Sequence, residues 1–126
     1  MARYEEWIYR AKSALELAQL KLVNYPCYED LCFQIQQSAE KALKGLLIYH
    51  DVDPEFTHNI EVLLNELEKL MEVPQHVKKA TSLTKYAVFT RYPGEYDEIT
   101  KDEYEANIEI AKDCLDWVEN KIEENK

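Results

Sequence analysis

Apolar residues recur at steps of three and four along almost the whole chain, and nowhere do they alternate in the two-residue rhythm of a strand. With only 2 Gly and 4 Pro among 126 residues, the backbone has few places to bend and is committed to helices. Trp7, Ala11, Leu15, Ala18 and Leu22 mark a first helix from Tyr4 to about Asn24, stopped by Tyr25-Pro26. Tyr28, Leu31, Ile35, Ala39, Ala42, Leu46 and Leu47 mark a second that ends near His50, with Glu40 and Lys44 as a favourable i,i+4 pair. Thr57 is the expected N-cap of a third helix built on Ile60, Leu63, Leu64, Leu67, Leu70 and Met71. Pro74 suits the start of a fourth, which runs on Val77, Ala80, Leu83, Ala87 and Val88. Thr100-Lys101-Asp102-Glu103 fits a capping box and opens a fifth on Tyr104, Ile108, Ala111, Leu115, Val118 and Ile122.

Short connectors favour antiparallel neighbours. The expected fold is therefore all-α: an up-and-down antiparallel bundle of four to five helices, with residues 1–126 as a single domain. Phe33, Phe56 and Phe89 are expected in its core, and the charged tail after Lys121 is expected to fray. A hydrophobic content of 46% suffices for one core. Three cysteines, Cys27, Cys32 and Cys114, are an odd number without CxxC spacing and read as reduced thiols. No signal-peptide pattern and no run of ~20 apolar residues is present, so a soluble, cytoplasmic protein without a membrane partner is expected.

A net charge of -10 argues against a surface that clamps nucleic acid as a whole. The distribution is uneven, however. Residues 1–72 hold 13 acids and 7 bases, residues 73–92 hold no acid and 4 bases, and residues 93–126 hold 12 acids and 4 bases. Lys78, Lys79, Lys85 and Arg91 thus form one acid-free basic stretch, which is either an ordinary solvated face or a local anion-binding one. It leads into "YAVFTRYPGEYDEIT", residues 86–100, where Arg91 meets Tyr92, Tyr96 and a Pro-Gly turn.

Common catalytic signatures are missing. His50, His58 and His76 fall at separate helix ends or connectors, with no HExxH and no helical Glu-x-x-His, so no metal or other cofactor is expected. Gly45 and Gly94 stand too far apart for a phosphate-binding loop.

Three segments in order, "QQSAEKALKGLLIYH" at 36–50, "THNIEVLLNEL" at 57–67 and "YAVFTRYPGEY" at 86–96, resemble the HEPN family of small bacterial and archaeal helical proteins. The likeness covers nearly the whole chain. It implies a helical bundle, a homodimer, and a minimal nucleotidyltransferase as partner; some members are toxins of toxin–antitoxin pairs. Glu40 and Lys44 match the family's second-helix E-x-x-x-K pattern. Active HEPN ribonucleases use an arginine followed a few residues on by a histidine. Arg91 can take the arginine's place, but Tyr96, Asp97 and Glu98 occupy the positions where histidine is expected. A free tyrosine (pKa ~10) or carboxylate (pKa ~4) is not poised near neutrality as imidazole is. The missing histidine argues against catalysis by that route, unless Asp97 or His58 supplies a displaced base.

The expected ligand-binding set is Lys85, Arg91, Tyr92, Tyr96, Asp97, Glu40, Lys44 and His58. Arg91 offers a guanidinium fork for phosphate, and Tyr92 and Tyr96 offer flat faces for a base. Each residue has a plainer reading. Arg91 can cap a helix C-terminus, Glu40 and Lys44 can be an exposed salt bridge worth ~0.3–0.5 kcal/mol, and His58 can hydrogen-bond locally. The functions in contention are a nucleotide- or RNA-binding homodimer acting with a minimal nucleotidyltransferase, a metal-independent ribonuclease with a degenerate motif, and a purely structural dimeric scaffold.

Overall fold

The computed structural model of the chain describes residues 3–87 and 97–126. Helix α1 spans Tyr4–Ala18, α2 Tyr28–Tyr49, α3 Ile60–Glu68 and α4 Gln75–Lys78; a 3-10 segment covers Lys79–Ala87, and α5 spans Lys101–Glu124. Among the described residues there is no strand. The bundle forms around α2, which packs on α1, α3, the 3-10 segment and α5. Its apolar residues Ile35, Ala39, Ala42, Leu43 and Leu46 meet Ala11 and Leu15 of α1 and Ala111, Leu115 and Val118 of α5 in one core cluster.

A glycine in mid-helix ordinarily weakens it. At Gly45 the reason is proximity, because a Cβ there would stand 2.9 Å from Ile8 Cδ1 and 3.2 Å from Trp7 Cβ of α1. Helix α1 ends at Ala18 rather than near Asn24. Its core face runs out at that point, since Leu20, Leu22 and Val23 are exposed. The freed carbonyls find other donors: the Tyr104 hydroxyl donates to the Ala18 carbonyl at 2.5 Å, and the Gln19 side chain donates to that of Leu15 at 3.1 Å.

The α3 cap is also shifted. Asn59, not Thr57, is the N-cap, accepting from the Glu61 amide at 3.0 Å, while Thr57 Oγ1 accepts from the Asn59 amide and shapes the turn that leads in. Thr100 caps α5 as its sequence implies, accepting from the Glu103 amide at 3.1 Å.

The fourth helix departs further from expectation. After one α turn the chain winds as a 3-10 helix for nine residues. Val77, Ala80, Leu83 and Tyr86 are its buried residues, spaced by three, which is the 3-10 period and aligns all four on one line toward the core. Ser82 Oγ bonds back to the Lys79 carbonyl, and Thr84 Oγ1 accepts from the Ile60 amide at 3.1 Å, drawing the backbone away from α geometry. Of the three phenylalanines expected inside, Phe33 is half-buried, Phe56 is fully exposed on the α2–α3 connector, and Phe89 lies outside the described residues. No helix among the described residues is long and apolar enough to cross a membrane.

Candidate functional site

Cys32, Gln36, Glu40 and Lys44 lie four residues apart, so they form a single row along α2. Because α2 is enclosed by its neighbours, this polar row is buried. Buried polar groups cost free energy unless satisfied, which makes the row a natural place to look for function.

The centre is Glu40. Its Oε1 accepts from Gln36 Nε2 at 3.0 Å and lies 2.8 Å from His58 Nδ1; its Oε2 accepts from Lys44 Nζ at 3.1 Å. The Glu40 and Lys44 side chains are only 5% and 9% exposed, whereas that of His58 is 67% exposed. The pair expected on the surface is therefore inside the bundle. The sequence alone could not reveal this, because the groups that complete the site come from elsewhere: Gln36 Nε2 also donates to the His58 carbonyl at 3.2 Å, fixing the α2–α3 connector over the carboxylate. Gln36 Oε1 accepts from Gln37, whose own amide oxygen accepts from Lys41. The Lys44 ammonium lies 5.9 Å from the Trp7 ring centre, a cation–π contact with α1.

Burial pushes the Glu40 carboxyl up, but hydrogen bonds from Gln36, His58 and Lys44, with the charge of Lys44, outweigh it and hold the group below the ordinary carboxylate value. Glu40 is thus an anion near neutral pH and can only accept. His58 must then carry its proton on Nδ1, which in the neutral ring leaves the Nε2 lone pair free.

A second polar group continues the row. Asn107 Nδ2 of α5 lies 3.5 Å from Cys32 Sγ, and the Tyr86 hydroxyl donates to Glu103 Oε2 in the first turn of α5. Burial and the bond to Glu103 push the Tyr86 hydroxyl far above its ordinary value, with Asn107 opposing. Burial likewise raises the Cys32 thiol, and Cys114, fully enclosed, is pushed up to about 12. Neither of these buried thiols is a ready nucleophile.

Of the residues expected in a site, the fold brings Glu40, Lys44 and His58 together. Lys85 is exposed on the 3-10 segment, its ammonium 5.3 Å from the Tyr86 ring centre. It sits one residue beyond Thr84, whose bond to Ile60 lands two residues from His58. Asp97 is exposed and joins neither group. Arg91, Tyr92 and Tyr96 lie outside the described residues. Gln36, Tyr86, Glu103 and Asn107 were missed by sequence reasoning; the signal available was the four-residue step of polar residues on a helix otherwise apolar on several faces. Among the described residues no group of three or more His, Cys, Asp or Glu could hold a metal ion.

This is an all-helical bundle whose central helix carries an enclosed polar row opening to solvent through one histidine. The model of the HEPN domain matches residues 4–121, and the chain belongs to the HEPN family. It is 34% identical over 130 residues to a Methanocaldococcus jannaschii protein named "Putative toxin MJ1304", an alignment covering 93% of this chain and 82% of that protein. Two crystal structures share the fold. ST0689, an archaeal HEPN homologue, is 35% identical with a TM-score of 0.75, covering 97% of this chain and 99% of its own. TT1696 from Thermus thermophilus is 34% identical with a TM-score of 0.80, covering 96% and 99%.

Proposed function

We propose that the chain is the toxin-like, homodimeric member of a two-component system. In this reading it binds RNA or a nucleotide through the face that carries Lys85, Arg91, Tyr92 and Tyr96, and a minimal nucleotidyltransferase is its partner. The name of the Methanocaldococcus jannaschii relative supports the toxin-like part. The observation that carries the binding part is the anchoring of the 3-10 segment at both sides of the polar row. Thr84 ties it to Ile60, beside His58, and Tyr86 ties it to Glu103. These two bonds hold residues 79–87, the described C-terminal part of the acid-free run 73–92, against the start of α3 and the start of α5, and an acid-free basic run is suited to attracting phosphate in a protein of net charge -10.

The test is direct. The purified chain is sedimented at micromolar concentration, then titrated with short single-stranded RNA and a panel of nucleoside phosphates at low and moderate salt. A dimer that binds RNA or a nucleotide more weakly as salt rises is expected. A chain that binds none of these ligands would overturn the reading and leave the scaffold.

A further inference from the structure

The geometry points to a further binding site, for a small phosphate monoester, in the groove between α1 and α2 around Lys41. Lys44 has the Glu40 carboxylate as its counter-charge at 3.1 Å. Lys41 has no such partner. Among the described residues no carboxylate lies within ion-pair distance of its ammonium, and its side-chain hydrogen bond goes to a neutral acceptor, Gln37 Oε1, at 2.9 Å. The side chain is half-buried, so a charge and two donors are left uncompensated where water is partly excluded. Burial, with the charges of Arg10 and Lys44, holds the group below the ordinary lysine value in spite of Glu40.

The surroundings of Lys41 are fixed. Gln37, which holds its ammonium, donates at 2.7 Å to Gln36 Oε1, and Gln36 is fully buried and bonded in turn to Glu40. The groove walls are clamped as well, because buried Ser38 Oγ of α2 donates to the carbonyl of buried Ala11 of α1 at 2.7 Å. Arg10 and Ser13 lie to either side of Ala11 along α1, and Gln34 and Lys41 to either side of Ser38 along α2, so this one bond sets the distance between them. With Glu6 and Tyr9 they line a groove of about 270 Å³. Arg10 spends only Nε on Glu6, the opposing charge in the groove, and keeps its Nη groups. The Ser13 hydroxyl and the Gln34 amide make no side-chain hydrogen bond among the described residues. Donors on both walls suit an acceptor whose oxygens point in several directions, a tetrahedral phosphate rather than a flat carboxylate. The volume falls just below the ~300–1,000 Å³ of sites for drug-sized ligands, which fits a small monoester. None of the lining residues belongs to the face of Lys85, so the site stands apart from the RNA- or nucleotide-binding reading.

The experiment titrates the full chain by calorimetry with inorganic phosphate and with phenyl phosphate, and with acetate at the same ionic strength. Both phosphates should bind, phenyl phosphate at least as tightly as the inorganic ion, and acetate should not. Lys41→Gln should weaken phosphate binding by about tenfold or more, while the melting temperature holds or rises because an uncompensated, half-buried charge is gone. Glu6→Gln removes the opposing carboxylate and should tighten binding. Lys69→Gln, which removes an exposed lysine outside the groove, should leave it unchanged. A titration of the lysine side chains by NMR should show one lysine ionising below the ordinary value of ~10.4 and moving up when phosphate is added, a signal absent from Lys41→Gln. No phosphate binding by the wild type, acetate bound as tightly, or unchanged affinity in Lys41→Gln would overturn the groove site and leave the RNA-binding reading as it stands.

Discussion

Nδ1 of His58 stands 2.8 Å from Oε1 of Glu40, joining a side chain open to solvent to one almost wholly enclosed. The carboxylate also compensates the enclosed Lys44 ammonium. Glu40→Ala should therefore leave a buried cation without its partner and destabilise the fold by about 3–5 kcal/mol, measured by urea denaturation. A loss below about 1 kcal/mol, the range of an exposed pair, would show that Lys44 is not enclosed in solution.

The same group sets an acid limit on stability. The folded-state value of Glu40 lies below the ordinary carboxylate value, so the unfolded chain takes up its proton first as pH falls. Its stabilising effect is complete above the unfolded value of ~4.3 and is lost as pH drops through the lower folded value. Denaturation midpoints between neutral and strongly acidic pH should fall more steeply for the wild type than for Glu40→Gln. Parallel curves would count against the ionised carboxylate.

The cap of α3 offers a two-variant comparison. Asn59→Ala removes the acceptor for the Glu61 amide and should cost about 1 kcal/mol, whereas Thr57→Ala touches only the preceding turn and should cost less. Thermal melts of both variants decide between them, and the reverse order would restore Thr57 as the cap.

Tyr86→Phe deletes the donor to Glu103 from a buried ring and should destabilise by about 1–3 kcal/mol. The raised folded-state value of Tyr86 means that its contribution persists below the unfolded value of ~10 and is lost as pH rises further. An ultraviolet titration of phenolate should show one fewer tyrosine resisting ionisation in the variant than in the wild type, the Tyr104 hydroxyl, which burial also raises, remaining in both.

Arg91→Ala tests the binding face. Loss of one charge-assisted contact to phosphate is worth about 1.5–3 kcal/mol, so affinity for RNA or nucleotide should fall by roughly tenfold to more than a hundredfold with the melting temperature unchanged. A lower melting temperature with unchanged affinity would make Arg91 a structural end-piece.

Legibility in the sequence followed the range of the interactions. Local signals worked where local energetics decide: the three-and-four spacing of Leu31, Ile35, Ala39 and Leu46 marked the α2 face, and Thr100 with Glu103 marked the start of α5. The steps Val77, Ala80 and Leu83 fit an α-helix as readily as a 3-10 one, and the choice was made by Thr84 bonding across to Ile60, 24 residues away. Glu40 and Lys44 read as a surface pair because that is the ordinary fate of such a spacing. Their enclosure depends on α1, α5 and a connector folding over α2, and on His58 arriving from 18 residues along the chain. Phe56 was misread for the opposite reason, as its apolar character says nothing of a connector that passes outside the core.

The winding of Lys79–Ala87 has a geometric consequence for what surrounds it. A 3-10 helix turns each residue by ~120° and advances it by ~2.0 Å, against ~100° and ~1.5 Å for an α-helix. Rewound as α, the nine residues would shorten by ~4–5 Å and drift out of phase by nearly half a revolution from end to end. Val77, Ala80, Leu83 and Tyr86 could then no longer all face the core, and Lys85 would no longer hold its place outside it. The slower rise of an α-helix would also pull the Thr84 and Tyr86 attachments out of register with Ile60 and Glu103. The segment thus behaves as a ruler, whose three-residue gradation sets the spacing between the start of α3 and the start of α5.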